Sequence, residues 1–272
     1  DLHMWRGLYT AATGMITETR RTDTIANNLA NANTTGYKRD DAVTMDFEPM
    51  LLRRINDKTG TQQEVTSFKG FSLGTNAPVV GELGLGAQVA DIATDHTQGS
   101  LQTTGNQLDF AVEGEGYFRI ATQRGERYTR DGNFYRDARS RLVTVNGENV
   151  LDNRGRNIII PPEAAEFSVS PEGRIMADGV LVAQLGLVTF PGGDEVMVKE
   201  GNSLYRVADP QLQPQQATGS IQQGVLERSN TEVVSEMVNL IANYRAYEAS
   251  SKAVVTQDGM LDKAVNEVGR NS

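Results

Sequence analysis

The chain has no cysteine, so disulfide staples, thiolate metal sites and a cysteine nucleophile are all excluded. It has only two histidines, His3 and His96, too few for a histidine-based triad or a multi-histidine metal centre. No run of residues reaches the roughly 18 apolar positions of a membrane-spanning helix. Basic residues never cluster beyond adjacent pairs and the net charge is -9, which argues against a nucleic-acid partner. The segment from Met4 lacks the apolar core and small-residue cleavage site of a secretory signal, so any export is expected to use another route. Asp1, Leu2 and His3 read as a cloning remnant. What is present is 272 residues, 38% of them hydrophobic, with 27 glycines. That is enough chain for one large or two modest domains rich in turns.

The two ends carry helical periodicity. Positions 233, 237, 240, 244, 247, 251, 254, 258, 261, 265 and 268 alternate steps of four and three, and nine of those eleven are apolar or aromatic. Val233, Met237, Leu240, Tyr244, Tyr247, Val254, Leu261 and Val265 would form one seam, with Glu236, Asn239, Asn243 and Lys252 mostly outside it. Ser251 and Asp258 are polar seam positions that could fix register, and Asp258-Gly259 could instead mark a kink. Trp5, Leu8, Ala12, Met15, Thr19, Thr22, Ala26 and Leu29 repeat the spacing at the other end. Neither helix can hide its stripe alone, so the expected fold is α+β: terminal helices forming a coiled-coil-like stalk, with an all-β central domain. Gly14, inside the first helix, is expected at a close backbone approach. The asparagines Asn27, Asn28, Asn31 and Asn33 precede the stop at Gly36 and read either as polar assembly contacts or as a fraying helix end.

The expected organisation is a helix over 4–36, an extended arm over 37–78, a β-rich domain over 79–208, a linker over 209–223 and a helix over 224–269. Strands are predicted at 88–93, 108–112, 117–121, 127–130, 141–145, 148–151, 157–160, 167–170, 174–177, 180–190 and 204–207. Their spacing near ten residues favours an all-β body over crossover helices. Asn146-Gly147 is read as a two-residue hairpin turn with positive φ at both positions.

Chemistry is sparse in this body. Glu113 and Glu115 flank Gly114 and read as solvated turn acids rather than a glycosidase pair. Gly81-Glu-Leu-Gly-Leu-Gly86 lacks the Gly-Lys-Ser/Thr end of a phosphate loop, and the turn acids Asp131 and Asp152 do not complete a calcium loop. No catalytic, metal or cofactor residue is assigned.

Several stretches resemble the flagellar basal-body rod and hook family. They are Thr13-Gly-Met15, Asn27-Asn-Leu-Ala-Asn-Ala-Asn-Thr-Thr-Gly-Tyr-Lys38, Gly99-Ser-Leu-Gln-Thr-Thr-Gly-Asn-Gln-Leu-Asp109, Tyr128-Thr-Arg-Asp-Gly-Asn133, Glu227-Arg-Ser-Asn230 and Glu236-Met-Val-Asn-Leu-Ile-Ala-Asn-Tyr-Arg-Ala-Tyr-Glu248. Within the family the chain looks most like distal-rod-type proteins, and Met4-Trp-Arg-Gly-Leu-Tyr-Thr-Ala-Ala12 resembles a Firmicutes rod homologue. The resemblance implies a structural subunit of the basal body, placed outside the cytoplasm in the periplasm or cell-wall zone. It would be exported unfolded and assembled through its terminal helices to transmit torque, with itself and other rod or hook subunits as partners, together with the type III export apparatus and either peptidoglycan or basal-body rings. Phe47 followed by Leu51 resembles the signal read by the export gate, although a helical turn packing Phe47 on Leu51 explains the pair equally well. The competing reading is a β-domain binding module anchored to the cell wall or to a ring.

Overall fold

The computed structural model describes residues 2–46, 50–53, 65–68, 71–74, 79–83, 87–164 and 166–268. The helix α1 (Leu2–Ala30) opens the chain and α2 (Val233–Val268) closes it. Between them run β1 (Asp40–Asp46), β2 (Met50–Arg53), β3 (Val65–Phe68), β4 (Phe71–Gly74), β5 (Val79–Leu83) and β6 (Ala87–Thr94). The body continues with β7 (Leu101–Thr103), β8 (Phe110–Glu113), β9 (Tyr117–Thr122), β10 (Gly125–Thr129), β11 (Phe134–Arg136), β12 (Leu142–Thr144) and β13 (Asn149–Val150). Then come β14 (Phe167–Val169), β15 (Arg174–Ala177), β16 (Val180–Gln184), β17 (Leu187–Thr189), β18 (Met197–Gly201), β19 (Leu204–Val207), β20 (Gln215–Gln216), β21 (Ser220–Gln223) and β22 (Val225–Glu227).

Two compact units emerge. One comprises Asp1–Thr24, Ala42–Ile92 and Leu240–Ser272; the other comprises Ile25–Asp41 and Ala93–Asn239. In the first, β2 pairs with β5 and β3 with β4, both antiparallel. The second is built on a nine-stranded sheet with the path β11-β12-β13-β9-β10-β19-β18, to which β17 and β20 attach beside β9. Strand period explains how this sheet is buried on both faces. Along β9, Phe118 and Ile120 enter a core with Phe110, Phe134, Leu142, Val150, Ile158, Ile175 and Ile221. Their neighbour Tyr117 points to a second cluster with Tyr128, Phe190, Met197 and Tyr205. Each fully buried side chain of this kind stabilises the fold by about 1.5–3 kcal/mol relative to exposure.

The coiled-coil-like stalk is corrected by this architecture. The described residues contain one α-helix at each end and a large β-rich body, and no apolar seam closes the helices on each other. Where α1 meets α2 in the first unit the contacts are polar: Asn243 Nδ2 donates to the Glu18 carbonyl at 2.7 Å and to Thr22 Oγ1 at 2.6 Å. Seam positions Met237 and Tyr244 face solvent instead, so these two supply no knobs for the knobs-into-holes packing of a coiled coil. A Cβ added at Gly14 would lie 3.4 Å from Ser250 Oγ, an ordinary contact.

Several β expectations are also revised. Residues 209–223, read as a linker, hold β20 and β21, and Ile221 is in the core. Residues 37–78, read as an arm, hold β1 to β4. The span 157–160 forms only isolated bridges, and 180–190 breaks between β16 and β17. At the Asn146-Gly147 hairpin only Gly147 has positive φ. Gly147 N bonds Thr144 O and Thr144 N bonds Glu148 O, so a turn centred on Val145 and Asn146 is followed by one left-handed residue, as in a three-residue hairpin loop. The helix α2 runs through Asp258 and Gly259 without a break.

Candidate functional site

The asparagine-rich end of α1 and the segment leading into α2 converge on one buried polar cluster within the second unit. The Asn28 side chain acts as a substitute peptide group. Its Nδ2 donates to Asp40 O at 2.8 Å, and its Oδ1 accepts from Asp40 N at 2.9 Å and from the Tyr37 hydroxyl at 3.1 Å. The chain then turns at Gly36, where φ is +64° and an added Cβ would sit 2.4 Å from the Asp131 backbone nitrogen, so only glycine fits. Gly36 N donates to Glu227 O at 2.8 Å.

That turn delivers Lys38 into the interior. Lys38 Nζ lies 2.7 Å from Glu227 Oε1, with the side chains 1% and 0% exposed, and it also donates to Thr97 O at 2.8 Å. Gly99 N donates to the same Glu227 oxygen at 2.9 Å, and Arg130 stands 3.8 Å from the other. Asn230 continues the tie. Its Oδ1 accepts from Arg39 N at 2.7 Å, and its Nδ2 donates to Asp95 O at 2.8 Å. Lys199 bonds the Lys38 carbonyl, pairs with Asp40 at 2.8 Å and sits 4.0 Å over the Tyr37 ring.

Burial lowers Lys38 from its ordinary value, against the opposing pull of Glu227. Burial, followed by the charges of Asp40 and Glu236, raises the Tyr37 hydroxyl above its usual range. Burial lowers Lys199 also, and Asp40 opposes it. This arrangement ties together residues 28–40, 95–99 and 227–230 with Arg130 and Lys199; it offers no nucleophile beside a base. No group of three or more His, Cys, Asp or Glu able to hold a metal occurs among the described residues. Glu113 accepts from Gln222 at 2.5 Å, a partner in the adjoining strand.

The helices present the second candidate surface. On α2, Glu236 and Asn243 are buried, 2% and 4% exposed, whereas Ile241 and Tyr244 are 57% and 66% exposed. Val234, Met237, Val238 and Val255 are exposed with them. The inner face of this helix is therefore polar and its outer face apolar. An exposed apolar surface of this kind is the usual mark of an association site. Of the residues placed on a seam by periodicity, Val233, Met237, Tyr244 and Tyr247 are exposed, while Met15, Leu29, Leu240 and Val254 are half-buried. Trp5 and Leu8 in α1, and Leu261 and Val265 in α2, have side chains outside the described residues, as has Leu51 in β2; Phe47 lies outside them altogether.

The four asparagines separate. Asn28 is buried in the cluster, Asn31 and exposed Asn27 bond each other at 2.8 Å, and Asn33 accepts from Arg228 at 3.0 Å. Lys38, Glu227, Asn230, Glu236 and Asn243 were not singled out by periodicity. Charged or amide residues at helical positions read as a solvated face, and only their place inside the recognisable runs 27–38, 227–230 and 236–248 pointed to them.

Comparison with known proteins covers both surfaces. Residues 8–38 match the family described as flagella basal body rod protein, 111–177 the flagellar hook protein FlgE/F/G D1 domain, and 222–267 the flagellar basal body rod FlgEFG protein C-terminal family. The chain is 35% identical to the flagellar basal-body rod protein FlgG of Bacillus subtilis, covering 97% of this chain and 99% of that protein. It is 33% identical to the rod protein FlgF of Caulobacter vibrioides over 98% of this chain and 99% of the relative. It is 31% identical to the flagellar hook-basal body complex protein FlhO of Bacillus subtilis over 98% and 100%.

Proposed function

The chain belongs to the family of flagellar basal-body rod proteins, and on that premise we propose that it assembles helically with copies of itself and with other rod and hook subunits through the outward faces of its terminal helices. The family is structural, its setting is the basal body, and this chain is a rod subunit within it. We assign no catalytic role to any residue.

The observation that carries the assembly reading is the inverted polarity of α2, with Glu236 and Asn243 inside and Ile241 and Tyr244 outside. Such a face is stable once another surface covers it. Repeated along a rod, many modest helix contacts would transmit torque without any single strong site. Export before the helices dock, through the type III apparatus and into the periplasm or cell-wall zone, fits the same picture, because docking offsets the entropy of ordering the ends. Contact with peptidoglycan or a basal-body ring would fall to the β-rich body.

The test is addition of purified chain to isolated basal bodies lacking it. Ile241→Glu with Tyr244→Glu should leave the circular dichroism spectrum intact and abolish incorporation seen by electron microscopy. Incorporation at the wild-type level would sink the reading.

A further inference from the structure

His96, the only histidine after His3, sits in a chain of hydrogen bonds in the second unit. The Tyr117 hydroxyl donates to Asp194 Oδ1 at 2.6 Å and lies 3.0 Å from His96 Nδ1. A phenol has a single proton, and here it goes to the carboxylate, so the Tyr117 oxygen accepts from His96. That places the neutral ring's proton on Nδ1 and leaves Nε2 as the nitrogen a second proton would occupy. The ring also packs on Tyr205, with centroids 5.6 Å apart. Tyr117 and Tyr205 are 2% and 0% exposed, whereas His96 is half-buried and the next two residues, Thr97 and Gln98, are exposed.

His96 belongs to the strap 95–99, which lies between β6 and β7 and holds both terminal segments. Thr97 O accepts from Lys38 Nζ, Asp95 O accepts from Asn230 Nδ2, and Gly99 N donates to Glu227. An imidazolium here would stand among three cations: Lys38 beyond α1, Lys199 on β18 and Arg130 beyond β10. Asp194, from the short helical turn Gly193–Val196, opposes them, while Glu227 and Asp40 are already paired with the two lysines. Within the strap, Asp95 is taken by Arg39 and the Thr97 amide. Burial is the first cause holding the ring below its ordinary value; Asp194 pulls the other way, and the three cations reinforce burial. We propose that His96 is a proton-operated catch: neutral, it fastens the strap to the β-rich body through Tyr117 and Asp194, and protonated, it lets the strap open and loosens the tie between the segment leaving α1 and the segment entering α2.

The catch does not depend on how subunits associate, and it is tested on the full chain. In the open strap His96 takes up a proton near its ordinary value, about 6.5, so opening gains at most about tenfold per pH unit below that and nothing above it. Hydrogen exchange of residues 95–100, corrected for the intrinsic effect of pH, should therefore show about tenfold more opening at about pH 5.5 than at about pH 7.5. His96→Asn keeps a donor for Tyr117 without a titrating ring and should hold the strap equally closed at both pH values. His3 and every carboxylate are common to the two chains, so the difference between them isolates His96. An equal rise in His96→Asn, or a rise below about twofold in the wild type, would overturn the proposal. Should His96→Asn fail to fold by circular dichroism, NMR titration of the wild-type His96 ring decides. A midpoint below about 6.5 with the neutral proton on Nδ1 is expected, and a midpoint at or above that value, or a proton on Nε2, overturns the catch.

Discussion

At the residue scale, the cluster around Lys38 depends on mutual satisfaction of buried charges. Lys38→Met would leave buried Glu227 with only Gly99 N and the more distant Arg130, a change expected to cost about 3–5 kcal/mol. Adding Glu227→Gln keeps an acceptor for Gly99 N and removes the stranded charge, so the double variant should recover at least half of that loss in urea denaturation. Asp131 gives a pH prediction of definite sign. Burial raises its carboxyl above the usual range, and the bonds from Thr35 Oγ1 and Asn133 N offset only part of that. A carboxyl raised in the folded state contributes stability that is fully present below its unfolded value, about 3.9, and lost as pH rises through its folded value. Asp131→Asn retains the acceptor without the charge. It should raise Tm at pH 7, and the gain should vanish by about pH 3, where the wild-type carboxyl is itself protonated.

At the scale of elements, β21 separates two kinds of sequence signal. Residues 209–223 contain two prolines and many glutamines, which is linker chemistry, yet Ile221 within them is buried against β8 and packs with Phe110 and Val112. Ile221→Ala should therefore cost about 2–5 kcal/mol, measured by thermal or urea unfolding, and a cost below about 0.5 kcal/mol would mean that the segment is a linker after all. A two-stranded contact such as β21 with β8 leaves little periodicity in either strand. Partner choice, rather than local pattern, makes it a strand. In α2 the failure runs the other way. The heptad spacing correctly marked a long helix, but not which stripe faces inward. Glu236 and Asn243 are buried because specific acceptors and donors await them, and a hydrophobic pattern carries no record of such partners.

At the scale of the molecule, the second unit is discontinuous in sequence but closed in space. Asp95 N donates to Arg39 O at 2.8 Å, and Thr94 Oγ1 donates to Asp40 Oδ1 at 2.7 Å, so the chain leaves and returns at neighbouring points. Replacing residues 43–91 by a short Gly-Ser linker should preserve the core around Phe118 and Ile120. The expected result is a cooperative melt and a dispersed methyl NMR spectrum, whereas collapsed dispersion would show that the unit needs the excised residues.

By itself the sequence determined the two terminal helices, the β character of the body and the family. These follow from periods of 3.6 and 2, from turn residues at short spacing and from motif runs, all of them local properties of the chain. Only the tertiary structure decided that Lys38, Arg130 and Glu227 meet, that the inner face of α2 is polar and that residues 209–223 complete a sheet. Those outcomes depend on the pairing of groups 189 and 225 positions apart, Lys38 with Glu227 and Asn243 with Glu18. The free energy of such a pair belongs to both partners at once, and neither residue's neighbours in the chain encode it.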